Sequence, residues 1–103
     1  MKQILLVLGF SLLSLALFQE AKAQNNQPTC PRPLPGNFVV RVPGTDSFNF
    51  VRSRLGDAIR CSTNINGRTQ TFVQAGNTSD RATAQRYLSM IQTRYKNAFL
   101  VSG

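Results

Sequence analysis

The stretch TFVQAGNTSDRATAQRYLSMIQTRYKNAFLVSG, residues 71–103, contains three successive patterns that predict a strand, a helix and a strand. Apolar and polar residues alternate up to Ala75, which is typical of a strand with one buried face. After Gly76 the apolar positions recur three or four residues apart, which indicates an amphipathic helix. Its apolar stripe consists of Ala84, Leu88, Ile91 and Tyr95. The apolar run from Ala98 to Val101 then predicts a final strand.

The ends of this helix are also visible in the sequence. Thr78 and Ser79 are candidate N-cap residues, and Asp80 suits the first turn because a carboxylate there faces the positive end of the helix dipole. Gly76 is expected to end the preceding strand. We expect the helix to continue to about Tyr95.

The first half of the domain repeats this order of elements. Alternation between Phe38 and Val42 predicts a strand, which Pro43 and Gly44 end. A short helix with caps among residues 45–47 follows, because apolar residues recur at helical spacing up to Gly56. Residues 58–65 and 68–75 then predict two strands joined by the Asn-Gly turn at 66–67, a strong hairpin signal.

The order β-α-β-β-α-β predicts an α+β protein with a ferredoxin-like (RNP-like) sandwich. In that fold a four-stranded antiparallel sheet has both helices on one face, and strands one and three lie in its middle. The alternation puts Val73 and Ala75 under the helices. The other face is expected to stay open, with four side chains on the two middle strands: Arg41, Gln70, Phe72 and Gln74.

The N-terminus predicts export. A positive Lys2, an apolar run over residues 4–18 and the sequence Ala21-Lys22-Ala23 are typical of a secretory signal peptide over residues 1–23. The run has 15 residues, fewer than the ~20 that cross a bilayer, so a retained anchor is the weaker alternative. The mature chain would begin at Gln24, in the periplasm or cell envelope.

Residues 24–36 form a polar linker with four prolines, expected to be extended and mostly solvated. The two cysteines, Cys30 and Cys61, both lie in the exported part, so oxidising conditions favour a disulfide that would tie the linker to the domain. A buried Cys61 with an unpaired Cys30 is the alternative. The domain itself would span residues 37–103.

The charge of the mature chain favours an anionic partner. Residues 24–103 have ten basic and three acidic residues, and nine of the ten cations are arginine, which suits forked contacts with phosphate or carboxylate groups. Catalysis is not expected, because this part has no His and no Glu, and its aspartates (Asp46, Asp57 and Asp80) lie at apparent helix ends. Two cysteines without histidine do not make a zinc site, so no metal or cofactor is expected.

The strand Val73-Gln74-Ala75-Gly76, followed by a capped helix with Ala84 and Leu88 and by AFLV, resembles the SPOR domain. The similarity covers residues 37–103 and is most specific from Phe72 onward. SPOR domains are bacterial envelope modules of the βαββαβ fold that bind peptidoglycan glycan strands, preferring strands without stem peptides, as at division septa. The V-Q-x-G signature usually lies on their first strand; here it lies on the third, an arrangement similar to that of SPOR-like exported proteins of cyanobacteria.

The resemblance implies a non-catalytic module, expected to be a monomer, that binds glycan strands on the sheet face opposite the helices. Gln74 is the position that maps onto the family's motif, with Phe72 beside it. Phe72 would cover a sugar face, Gln74 and the nearby Gln70 would hydrogen-bond to sugar substituents, and Arg41 would engage a carboxylate or acetamide oxygen. The alternative for Phe72 is partial burial under a loop or the tethered linker, and for the two glutamines it is a position as ordinary solvated strand residues. The alternatives are a module that binds single-stranded nucleic acid on the same face and one that binds a protein through an edge strand or the Pro-rich linker. Nucleic acid is the less favoured partner, since the aromatic residues of the RNA-binding motifs are missing and export separates the chain from cytoplasmic RNA.

Overall fold

The computed structural model describes residues 27–103, and the expected signal peptide over residues 1–23 lies outside them. The described chain forms six elements in the predicted order. They are β1 (Phe38–Pro43), α1 (Phe48–Arg54), β2 (Ile59–Ile65), β3 (Arg68–Thr78), α2 (Arg81–Gln92) and β4 (Phe99–Ser102).

The four strands form one antiparallel sheet in the order β2-β3-β1-β4, so β1 and β3 are the middle strands, as predicted. Both helices pack on the same face of this sheet around one core. Val40 and Val42 of β1 and Val73 of β3 point into that core and are almost fully buried. The α+β, ferredoxin-like fold is therefore confirmed.

The turn between β2 and β3 is the predicted hairpin. Asn66 and Gly67 both have positive φ, 53° and 79°, which matches the backbone twist that a two-residue hairpin needs. Asn64 closes the turn, because its side-chain oxygen accepts a hydrogen bond from the Gly67 amide at 3.0 Å. The hairpin fixes the register in which every residue of β2 pairs with β3.

The prediction that Gly76 ends its strand is wrong, because β3 continues to Thr78. Gly76 instead forms a bulge: its φ is +77°, and the register of β1 with β3 shifts by one residue between Phe38 and Val40. Asp57 stabilises this bulge. Its carboxylate accepts hydrogen bonds from the backbone amides of Gly76 at 2.8 Å and Asn77 at 3.0 Å. Asp57 was expected to act at a helix end, so its role in the strand is also a correction.

Helix α2 begins and ends differently from the prediction. Its N-cap residue is Asp80, whose carboxylate accepts hydrogen bonds from the hydroxyl and the amide of Thr83. These bonds hold the pKa of the Asp80 carboxyl below its usual value. Thr78, one of the expected caps, instead accepts a hydrogen bond from the Asp80 amide. The helix ends at Gln92, and Tyr95 packs against the core from the turn that follows.

Residues 27–36, which we call the arm, run along the domain. The predicted disulfide joins Cys30 of the arm to Cys61 of β2, so the alternative of unpaired cysteines is excluded. Backbone hydrogen bonds from Cys30 to Ser62 and from Ser62 to Pro28, both 2.8 Å, add a short parallel bridge to the edge of β2. Cys30 and Pro33 are buried although most of the arm is exposed, so the expectation of a mostly solvated linker holds only in part.

Loss of the disulfide should destabilise the domain substantially. The bond closes a loop between residues 31 apart, for which the loop-entropy relation gives about 3–4 kcal/mol. The variant Cys30→Ser/Cys61→Ser should therefore lose about this much free energy of unfolding in urea denaturation. A change below about 0.5 kcal/mol, the usual size for an unimportant surface substitution, would show that the bond does not restrain the arm.

Gly76→Ala should destabilise the domain more than the same change at Gly67 or Gly56. A Cβ at Gly76 would lie 2.9 Å from a Tyr87 ring carbon and 3.2 Å from a Leu55 methyl, in addition to the positive φ. Gly67 has a positive φ with open space around it, so Gly67→Ala measures the backbone strain alone, about 1–2 kcal/mol. In thermal unfolding, the midpoint temperature should be lowest for Gly76→Ala, higher for Gly67→Ala and closest to the parent for Gly56→Ala. Equal losses at Gly76 and Gly67 would show that the close contact adds nothing.

Candidate functional site

The sheet face opposite the helices, which we call the outer face, has one continuous row of side chains across all four strands. The pairing registers join Ile59 of β2 to Gln74 of β3, Gln74 to Arg41 of β1, and Arg41 to Phe99 of β4. Gln70 lies two positions before Phe72 on the same side of β3 and is exposed. The four predicted site residues therefore lie on this face.

The arm covers part of the outer face. Only 3% of the Phe72 surface is exposed to solvent, because the residue packs against the disulfide and against Ile59. Its ring lies edge-on to Phe99, with 6.1 Å between the ring centroids. The expectation that Phe72 stands on an open surface is therefore wrong. Its ring belongs to a small second core beneath the arm and is not available to cover a sugar.

Gln74 is also buried, with 6% of its surface exposed, and both ends of its amide are bonded within the protein. Its Nε2 donates to the backbone oxygen of Pro31 at 3.0 Å. Its Oε1 accepts from Nε of Arg41 at 2.8 Å. The amide thus joins the arm to β1 and fixes the guanidinium of Arg41, so in this conformation Gln74 positions a binding group rather than acting as one.

Arg41 is half-buried on the middle strand β1. Its bond to Gln74 uses only Nε, so its two terminal nitrogens are not involved in that bond. Its guanidinium carbon lies 5.8 Å from the centroid of the Phe72 ring. Burial lowers the pKa of the Arg41 guanidinium, and the nearby positive charge of Arg32 in the arm lowers it further. Two like charges that share a partly desolvated surface repel each other, and a bound anion would relieve that repulsion.

A groove of about 680 Å³ lies beside these two arginines. Residues of the arm and of the strands line it, and they include hydroxyl groups and an apolar side chain as well as the two cations. The lining side chains that can contact a ligand are Thr29, Arg32, Arg41, Thr63, Val101 and Ser102. A second, smaller cleft of about 190 Å³ lies between the arm and the sheet near Gln74.

Sequence reasoning missed two residues of this surface. Phe99 is 40% exposed on the outer face directly opposite Arg41, while its neighbours Ala98 and Leu100 point into the helical core. The alternation was hidden because Ala98 to Val101 reads as one apolar run. Arg32 was missed because residues 24–36 were expected to form a mostly solvated linker. The predicted disulfide could have indicated it, since a bond at Cys30 holds the next residues near the sheet.

The described part of the chain contains no group of three residues suited to hold a metal ion. Two of its aspartates have structural partners, since Asp57 binds the bulge and Asp80 caps α2. The face instead presents guanidinium groups, hydroxyls and an exposed aromatic ring, which are groups that bind and orient a ligand. None of the helices in residues 27–103 has both the length and the apolar character needed to cross a membrane.

No family model matches this chain, and no curated protein or solved structure matches it either.

Proposed function

We propose that the outer face binds glycan strands of peptidoglycan and that the protein is a non-catalytic module of the bacterial cell envelope. The observation that supports this best is the exposed ring of Phe99, which is paired across the strands with Arg41, while Arg41 and Arg32 both line the larger groove. Carbohydrate recognition needs an apolar surface for the sugar ring together with planar donors for its polar substituents. The outer face has both within one row of the sheet.

The arginines suit the polar groups of a glycan strand. A glycan of N-acetylated sugars with lactyl ethers exposes acetamide oxygens and, where stem peptides are missing, free carboxylates. A guanidinium donates two parallel hydrogen bonds to such a carboxylate, and these charge-assisted bonds are shorter and stronger than neutral ones. Arg41 would make this contact with its terminal nitrogens, because Gln74 already holds its Nε.

Two further observations fit the proposal. The sequence Val73 to Gly76 resembles the signature of the SPOR domain, and Gln74 of that signature orients Arg41. The Cys30–Cys61 disulfide fits an oxidising compartment, as the expected export of the chain to the periplasm requires. The aromatic contact differs from the one expected from the sequence, since Phe99 takes the place that Phe72 was expected to have.

Sedimentation with amidase-treated sacculi tests this function, using the disulfide-bonded protein purified from an oxidising compartment. Arg41→Ala should weaken binding about five- to a hundredfold, because loss of one hydrogen-bonding partner costs ~1–3 kcal/mol. Phe99→Ala should also weaken binding, since the sugar ring loses its apolar contact. Phe72→Ala is unsuitable as a test, because truncating a buried Phe costs about 3–5 kcal/mol of stability.

Two matched controls separate the outer face from general charge and general apolar surface. Arg68→Ala removes an exposed cation at the β2–β3 hairpin, and Leu34→Ala removes an exposed apolar side chain of the arm. Both should bind like the parent protein. The proposal fails if the parent does not sediment with sacculi, or if Arg68→Ala loses as much affinity as Arg41→Ala. Stronger binding to single-stranded DNA, with a steep decrease as salt is raised, would favour the nucleic-acid alternative.

A further inference from the structure

Four arginines stack in two pairs on two phenylalanine rings on the helical side of the sheet, with Arg52 and Arg60 on one ring and Arg54 and Arg94 on the other. We call this group the Arg–Phe cluster, and it consists of Phe48, Phe50, Arg52, Arg54, Arg60 and Arg94. The guanidinium carbon of Arg60 lies 3.9 Å from the centroid of Phe48, with Arg52 at 6.0 Å. Arg54 and Arg94 lie 4.6 Å and 5.5 Å from the centroid of Phe50.

The cluster is assembled from three parts of the fold. Arg52 and Arg54 each follow a phenylalanine by four residues on α1, so each guanidinium reaches the ring one turn earlier. Arg60 comes from β2, and Arg94 follows α2. Each pair of arginines therefore forms only in the folded protein, and both pairs lie on the helix layer, away from the outer face.

The four guanidinium groups remain available to an external partner. All four arginines are exposed, while the two rings are half-buried against the core. A guanidinium that stacks on an aromatic ring keeps its N–H groups directed outward along its edges. Arg54 uses one nitrogen to reach Ser53 at 2.9 Å. The carboxylates of Asp57 and Asp80 are bonded elsewhere and do not pair with these four arginines.

The chemistry of the cluster favours phosphate groups over nucleobases. Single-stranded nucleic acids bind by stacking bases on exposed aromatic faces. Here the arginines already occupy positions over the rings, so few aromatic faces are open to a base. Exposed pairs of forked donors instead suit phosphate oxygens.

We propose that the Arg–Phe cluster docks the protein onto a membrane surface rich in anionic phospholipid. Arginine near such a surface is attracted by its negative potential, with a contribution of about fivefold in affinity for each residue. This docking is independent of glycan binding, because it uses the opposite side of the sheet. The protein would thereby hold a glycan strand on one face while its helix layer contacts the membrane.

Co-sedimentation with vesicles tests the proposal, comparing phosphatidylcholine alone with an equal mixture of phosphatidylcholine and phosphatidylglycerol. The parent protein should bind the mixed vesicles and should not bind the vesicles of phosphatidylcholine alone. Arg52→Gln/Arg54→Gln/Arg94→Gln should bind the mixed vesicles about a hundredfold more weakly. The matched control removes the same charge elsewhere and should stay close to the parent: Arg68→Gln/Arg81→Gln/Arg86→Gln.

Several results would overturn the proposal. They are absence of parent binding to the mixed vesicles, equal loss in the two triple variants, and equal binding to neutral vesicles. Cluster-dependent binding to single-stranded DNA without binding to vesicles would also contradict it. If the cluster variant does not fold, Arg54→Gln and Arg94→Gln are measured singly, and each should weaken binding about fivefold. Sacculus binding by a folded cluster variant should match the parent, so failure here is distinguishable from failure of the glycan proposal.

Discussion

The disulfide between Cys30 and Cys61 determines which part of the sheet is surface and which is core. A βαββαβ sandwich covers one sheet face with its helices and leaves the other to solvent, so an apolar side chain such as Phe72 on that second face needs a cover. The arm supplies the cover, because the disulfide holds Cys30 against Phe72 and brings Pro31 within hydrogen-bonding distance of Gln74. The position of Arg41 then follows, since its guanidinium is held by the same Gln74 amide.

A domain of this size gains from such a constraint in two ways. Residues 27–103 form only a small core with a correspondingly small margin of stability, so a closed loop contributes a large fraction of it. The second core around Phe72 also adds apolar contacts on the face that the helices leave uncovered. The exposed part of the outer face can therefore remain polar and positively charged without loss of the fold.

Arginine is used differently on the two sides of the sheet. On the outer face Arg41 is half-buried and oriented by a hydrogen bond, which suits selective contact with one group of a ligand. On the helix layer four exposed arginines lie in pairs over two aromatic rings. The first arrangement favours specificity and the second favours attraction to an extended charged surface. The net positive charge of the sequence does not distinguish these two arrangements, because it does not show which arginines have fixed orientations.

The fold could be predicted from the sequence because its periodic patterns are local. The alternation in β3, the Asn-Gly turn at 66–67 and the apolar stripe of α2 each depend on neighbouring residues, and all three are present. The candidate site could not be predicted so fully, since the burial of Phe72 depends on an arm forty residues earlier in the chain. The bulge at Gly76 was missed for the same reason: its tie to Asp57 spans 19 residues and has no local signal. Phe99 was missed because an apolar run does not show which of its members points outward.

Glycan binding to the outer face is tested most directly by titrating the isotopically labelled, disulfide-bonded protein with soluble glycan strands. The amide chemical shifts are measured by NMR at each step of the titration. Binding beside the arm predicts that the largest changes occur at Arg32, Arg41, Phe99 and Val101, with α1 and α2 unchanged. Saturation at these residues should give one dissociation constant. Changes confined to the Arg–Phe cluster, or none at all on addition of glycan, would contradict the assignment of glycan binding to the outer face.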